Sequence, residues 1–170
     1  MGGDGSSGRK VRSAKLKELA EKAKGAIREA SEPKKRNVFI SFASEDLDEV
    51  NLLRGQAKNK LTDLEFNDRS LFEPFDSKKA EYIKRGIRER IKQASVTLCY
   101  LTGSSSRSKW VDWEIRESLR QGKAVIGVFQ GSKPPEDIPE AAKKARIPIV
   151  PWRHKDIMEA IDEASSGRRV

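Results

Sequence analysis

Three near-continuous apolar runs constrain the fold of this 170-residue chain more than any other feature. They are Val-Phe-Ile-Ser-Phe at 38–42, Val-Thr-Leu-Cys-Tyr-Leu at 96–101 and Ala-Val-Ile-Gly-Val-Phe at 124–129. Runs that are apolar on both alternating positions read as strands buried on both faces. Between them lie segments with helical spacing. Leu47, Val50, Leu53 and Ala57 share one face of a helix expected from Asp46 to about Lys60. Ala80, Ile83, Ile87 and Ile91 do the same between Lys78 and Ala94. A third helix runs from Ser108 to Gln121, with Gly122 just past its end as a stop signal. Shorter strands are expected at 64–66 and 147–150, a short helix at 139–145 and a closing helix at 154–165. With right-handed crossovers, this pattern predicts a three-layer α/β fold. The simplest form is a flavodoxin-like, parallel five-stranded sheet of order 2-1-3-4-5, with an extra helix at the N-terminus. Its ligand crevice would lie between the tips of strands 1 and 3.

Residues 1–8 are rich in Gly and Ser and read as disordered. From Arg9 to about Ala30, the residues Val11, Leu16, Leu19, Ala20, Ala23, Ile27 and Ala30 form a thin apolar stripe, with Lys and Arg crowding the other face. Such a helix packs on its own domain or on a twin subunit; attachment to a membrane surface or a nucleic acid is the alternative. Pro33 ends it, and Lys34-Lys35-Arg36 reads as a solvated hinge. The expected division is therefore 1–36 as lead and basic helix, 37–165 as the α/β domain and 166–170 as a disordered tail.

The net charge of +9 invites a nucleic-acid reading, but its distribution weakens it. Residues 1–36 carry 11 Lys/Arg against 5 Asp/Glu, whereas the remainder carries 24 against 21. The α/β part is nearly balanced, so phosphate-backbone binding is not expected of it. No apolar run reaches the roughly 18 residues of a membrane span, and no secretory leader is visible. Cys99 is the lone cysteine and sits in an apolar strand, which reads as a buried small hydrophobe. His154 is the lone histidine, so neither a Ser-His-Asp system nor a His-rich metal site is expected. No Gly-x-Gly-x-x-Gly motif and no phosphate-loop lysine follow a strand, which argues against a dehydrogenase or a nucleoside triphosphatase. A reduced, cytoplasmic protein without membrane attachment is the expectation.

The crevice would gather the segment 42–46, the loop 67–77 and the segment 103–114. Its candidate residues are Phe42, Ser44, Asp46, Asp68, Arg69, Trp110, Trp113 and Glu114. Ser44 and Asp46 also fit as caps of the following helix. Trp110 and Trp113 also fit as packing between helix and sheet. Glu114 also fits as a surface charge paired with Arg107 or Ser118. An acid at a crevice mouth, one turn from a large flat ring, can instead hold a sugar hydroxyl or steady a developing positive charge.

Two segments then resemble a known family. Val38-Phe39-Ile40-Ser41-Phe42-Ala43-Ser44-Glu45-Asp46 is similar to the first box of Toll/interleukin-1 receptor (TIR) domains. Ser108-Lys109-Trp110-Val111-Asp112-Trp113-Glu114 resembles their Trp-Cys-x-x-Glu segment, with Val111 in place of the cysteine. With Asn67-Asp68-Arg69-Ser70 and the helix at 82–91, the match is to the bacterial TIR-like family of the Thoeris anti-phage system, over roughly 37–160.

The resemblance implies an enzyme that cleaves the nicotinamide–ribose bond of NAD+, releasing nicotinamide and forming a cyclic ADP-ribose isomer that activates an effector protein. It places the key acid on Glu114. NAD+ is then substrate, with no cofactor and no metal. Elementary chemistry agrees: the pyridinium is already a good leaving group, and a carboxylate can steady the oxocarbenium-like ribose left behind. Phe42 or Trp113 could stack on a ring of the dinucleotide, and Arg69 could meet its pyrophosphate. The alternative is a non-enzymatic TIR-type module that signals by self-association as a homo-oligomer.

Overall fold

The computed structural model describes residues 6–31, 36–60, 64–67 and 74–167. The chain divides into two compact units, Met1–Lys34 and Lys35–Val170.

Among the described residues, the first unit is one helix, α1 (Ser6–Ser31). It begins earlier than the glycine and serine content suggests, so Ser6, Ser7 and Gly8 are helical rather than disordered. Cooperative extension from the well-formed turns that follow outweighs their low propensity. Glu18–Lys22 and Glu21–Lys24 pairs, at 3.7 and 3.4 Å, lie along it. Val11, Leu16, Leu19 and Ile27 are between 56 and 68% exposed.

In the second unit, the strands β1 (Arg36–Ser41), β2 (Leu64–Asn67), β3 (Val96–Tyr100), β4 (Ala124–Phe129) and β5 (Ile149–Pro151) form one parallel sheet. Their order is β2-β1-β3-β4-β5. The helices are α2 (Leu47–Lys60), α3 (Ala80–Gln93), α4 (Lys109–Arg120), α5 (Glu140–Ala145) and α6 (His154–Ser165). This is the expected flavodoxin-like parallel sheet with helices on both faces.

Strand alternation sorts the core into two halves. Val38, Ile40, Phe42, Val96, Leu98, Tyr100, Ile126 and Val128 face α2 and α6, where Val50, Leu53, Ile157 and Ile161 meet them. Phe39 on the opposite face meets Ile87 and Ile91 of α3. Cys99, Leu101, Val125 and Phe129 meet Val111 and Ile115 of α4 with Ala141 and Ala142 of α5. Each fully buried isoleucine contributes about 1.5–3 kcal/mol. Two such layers clamp the sheet between helices and hold its strand ends in fixed register.

Two of the boundaries that differ from expectation have a clear physical cause. Arg36 is not part of a solvated hinge: it opens β1, is half-buried and pairs with Asp162 of α6 at 2.6 Å. The fifth strand starts at Ile149 rather than Ile147. Arg146 closes α5 in the left-handed region at φ 49°, and Pro148 has no N–H to donate, so sheet pairing begins after it. Pro148 still offers its carbonyl, which accepts from Gly127 N–H at 2.8 Å.

Candidate active site

The site is organised by α4. Ser108 caps its start, its Oγ accepting from Val111 N–H at 3.3 Å. Gly122, at φ 73°, ends it. There Gly122 N–H donates to Leu119 O at 3.0 Å and Lys123 N–H to Ser118 O at 2.9 Å, a Schellman closure. With both ends set, helical spacing turns Val111, Glu114, Ile115 and Ser118 inward, and all four are buried.

A buried polar side chain needs a partner, and the sheet supplies one for each of the two polar members. Ser118 Oγ and Thr97 Oγ1 of β3 are 2.9 Å apart. Ser41 Oγ, at the end of β1, donates to Glu114 Oε2. Ser41 lies beside Cys99 of β3, which lies beside Gly127 of β4.

Glu114 is 5% exposed. Burial pushes its carboxyl up to about 8, and the Ser41 hydrogen bond works in the opposite direction. Burial, then the charge of Glu114, pushes the Cys99 thiol up, so that thiol stays neutral. Glu117, one turn later and equally buried, behaves oppositely. Arg120 holds it through Nη2 and Nε at 2.6 and 3.0 Å, Gln121 Nε2 adds a bond at 2.8 Å, and its carboxyl is held below the usual range. The alternative for Glu114, a surface charge paired with Arg107 or Ser118, does not hold: Glu114 is buried and its partner is Ser41, while Ser118 meets Thr97.

The other described candidates lie on the segment that follows β1 and on α4 itself. Asp46 Oδ2 accepts from Thr102 Oγ1 at 2.6 Å, joining the segments that follow β1 and β3. Burial pushes its carboxyl up, with Thr102 opposing. Ser44 is exposed and turns its hydroxyl to Glu45 at 3.2 Å. It makes no cap, because Ala43 stands at the cap position of the short 3-10 turn that precedes α2. Phe42 points to the α2–α6 face, away from Glu114, since it is one residue out of phase with Ser41. Trp110 and Trp113 pack against Phe39, Ile87 and Ile91. They meet edge-to-face at 6.0 Å, and Phe75 meets Trp110 at 4.9 Å. The Trp113 ring also engages Lys84 Nζ at 5.6 Å and Arg88 Cζ at 5.4 Å. Asp68 and Arg69 lie outside the described residues.

A cavity of about 350 Å³ opens beside the start of α4. Phe75, Arg107, Lys109, Asp112, Trp113 and Arg116 are among its lining residues, and Glu114 is not. Its cations are largely engaged: Lys109 with Asp76 at 2.9 Å and Arg116 with Asp112 at 2.6 Å. Among the described residues, no group of three or more His, Cys, Asp and Glu is placed to hold a metal ion. No helix among them is long and apolar enough to cross a membrane.

Sequence reasoning passed over two residues here, Ser41 and Thr102. A readable signal existed for the first: Ser41 is the one hydroxyl in an apolar strand, and it alternates with Phe39 onto a covered face, where a hydroxyl must find a partner. No comparable signal marks Thr102, whose partner comes from another loop.

With this geometry in view, the relatives of the chain can be named. The family model of the Thoeris protein ThsB, TIR-like domain, matches residues 39–134. A protein of Bacillus cereus (strain MSX-D12) named "Putative cyclic ADP-D-ribose synthase ThsB1" is 36% identical over 100 residues, 55% of this chain and 50% of that one. The chain thus spans about half the length of that relative. Among solved structures, the TIR domain of the Toll-related receptor TRR-2 from Hydra magnipapillata is 15% identical, with a TM-score of 0.48 over 76% of this chain and 94% of that one. The CMP N-glycosidase BcmB of Clostridium botulinum is 13% identical, with a TM-score of 0.47 over 75% of this chain and 98% of that one. The family match covers the second half of β1, from Phe39, and all of α4, and so takes in the Ser41–Glu114 pair; the chain belongs to the family of Thoeris ThsB TIR-like domains.

Proposed function

We propose that this chain is an NAD+-cleaving TIR-like enzyme that releases nicotinamide and forms a cyclic ADP-ribose isomer, with Glu114 as its catalytic carboxylate. The observation that carries the reading is the buried Glu114 carboxyl, set over the end of β1 by Ser41 in the segment that resembles the family's acid. Membership of the ThsB family and the name of the Bacillus cereus relative support it.

The chemistry follows from the charges. When the bond between ribose C1′ and the pyridinium nitrogen breaks, its electron pair goes to nicotinamide, which leaves neutral. Positive charge then spreads over C1′ and the ring oxygen. A carboxylate in a water-poor site stabilises that charge more than water does, because it is already in place and weakly screened. Attack at C1′ by a nitrogen of the adenine ring closes a cycle; attack by water gives linear ADP-ribose and a proton. Glu114 also suits a hydrogen bond from a ribose hydroxyl, which aligns the sugar for either attack. Asp46, Trp110 and Trp113 are proposed to border the bound dinucleotide, and Asp68 and Arg69 to approach it from the segment after β2. A diffusible product would act on a separate effector protein.

The test is incubation of concentrated protein with NAD+, following nicotinamide and product mass, beside Glu114→Gln. Nicotinamide release by the wild type and about 100-fold less by the variant is the expected result. Equal turnover by both would reject the assigned role. Self-association with no turnover at any protein concentration would favour the non-enzymatic module instead.

A further inference from the structure

We propose that Ser41 is the positioning residue of this site: its hydroxyl fixes the Glu114 side chain over the end of β1 and favours the charged carboxylate. The inference rests on the NAD+-cleaving reading.

The argument begins with the hydrogen-bond inventory. Among the described residues, the Ser41 hydroxyl is the partner given to the Glu114 carboxyl, and it engages Oε2 alone. Oε1 is left for a substrate hydroxyl or for the cationic sugar. Ser41 is itself nearly fully buried and held in register against Cys99, so its oxygen has little freedom to move. A donor so held selects one orientation of the carboxyl and stabilises its ionised form.

No other charged group takes over this task. From β3 the neighbours are Cys99, which is neutral, and Thr97, which is engaged with Ser118. From α3, Arg88 reaches Glu117 at 3.9 Å and Lys84 reaches Glu81 at 3.5 Å. On α4, Asp112 pairs with Arg116 and Glu117 with Arg120. These four cations of α3 and α4 are engaged with other acids, and the Ser41 hydroxyl is what supports the Glu114 charge against burial.

The experiment compares wild type, Ser41→Ala and Ser41→Thr by two readouts. One is the carboxyl carbon-13 titration of Glu114, assigned with Glu114→Gln. The other is the pH profile of nicotinamide release from NAD+. Loss of the hydroxyl should move the Glu114 titration and the acid limb of activity upward by about one to two pH units. Below the limb, that is about 10- to 100-fold less turnover at a given pH, whereas KM changes less than kcat. Ser41→Thr keeps a hydroxyl on a strand-compatible side chain and should restore both readouts. An active wild type whose titration and limb both ignore Ser41→Ala would overturn the positioning role alone. A wild type silent toward NAD+ would reject the reaction, and a titration that still moved would then support Ser41 as the group that sets the Glu114 charge.

Discussion

Glu114 and Glu117 lie one turn apart on α4, equally little exposed, and their carboxyls are driven in opposite directions. Two things differ: Glu114 lies deeper in the protein, and the two carboxyls meet different partners. Glu114 faces the sheet and meets a neutral hydroxyl, so burial dominates and favours the protonated form. Glu117 sits at the helix edge, where Arg120 and Gln121 reach it, so the anion is favoured. A group balanced near neutrality is suited to a step that needs its charge transiently; an ion-paired group is suited to holding a helix end.

This contrast sets the stability profile. Glu114 has a folded-state value of about 8 against an ordinary value of 4.5, so the folded chain keeps a proton that the unfolded chain releases. Its contribution is full below about pH 4.5 and is lost as pH rises toward 8. Glu114→Gln mimics the neutral carboxyl and cannot ionise. Denaturant melts should find this variant more stable than wild type at about pH 9, by on the order of 3 kcal/mol, with the gap closing near pH 5.

Glu117→Gln should do the reverse. The lowered carboxyl stabilises the fold above its ordinary value, and that contribution is lost as pH falls through the folded-state value. Arg120 is 68% exposed, so solvent screening holds the expected cost to about 1 kcal/mol at pH 7. The same denaturant melts should show the gap to wild type vanishing on acidification.

The rate profile follows from the form of Glu114 that does the chemistry. Because the carboxylate steadies the cationic ribose, kcat/KM for nicotinamide release should rise with pH through about 8. Bound NAD+ brings a pyridinium charge near the acid, which favours ionisation, so the limb in kcat should lie lower than the limb in kcat/KM. A stopped-time assay over about pH 6–9.5 measures both. A limb near the ordinary carboxylate range in kcat/KM would contradict this account.

Close packing around Gly127 and α4 leads to two stability predictions. A Cβ at Gly127 would stand 2.7 Å from Leu101 Cδ1 and 3.1 Å from Ile149 Cγ1. Gly127→Ala should therefore cost about 1–3 kcal/mol by overpacking. Ile115→Ala, at a fully buried position on α4, should cost about 2–5 kcal/mol by leaving a cavity. Equilibrium denaturation measures each.

Much of this fold is legible before any coordinates. Continuous apolar runs interrupted by helical spacing specify a parallel sheet covered on both faces, because strands without a polar side have nowhere else to go. The cap at Ser108 and the stop at Gly122 are local chemistry, and both ends of α4 could be read from them. The placement of Glu114 at the crevice mouth made it a candidate, and the resemblance then put the key acid on it. What periodicity could not say is which acid of α4 meets an arginine and which meets a serine 73 residues away. Nor could it say that Phe42 serves the far side of the sheet while Ser41 serves the near side of the same strand end. Periodicity is a property of neighbours along the chain, so it sets helices, strands and their buried faces. The charge state of a buried carboxyl depends on the atoms that surround it in space, and those are chosen by strand register and helix docking, which exist only once the chain has folded.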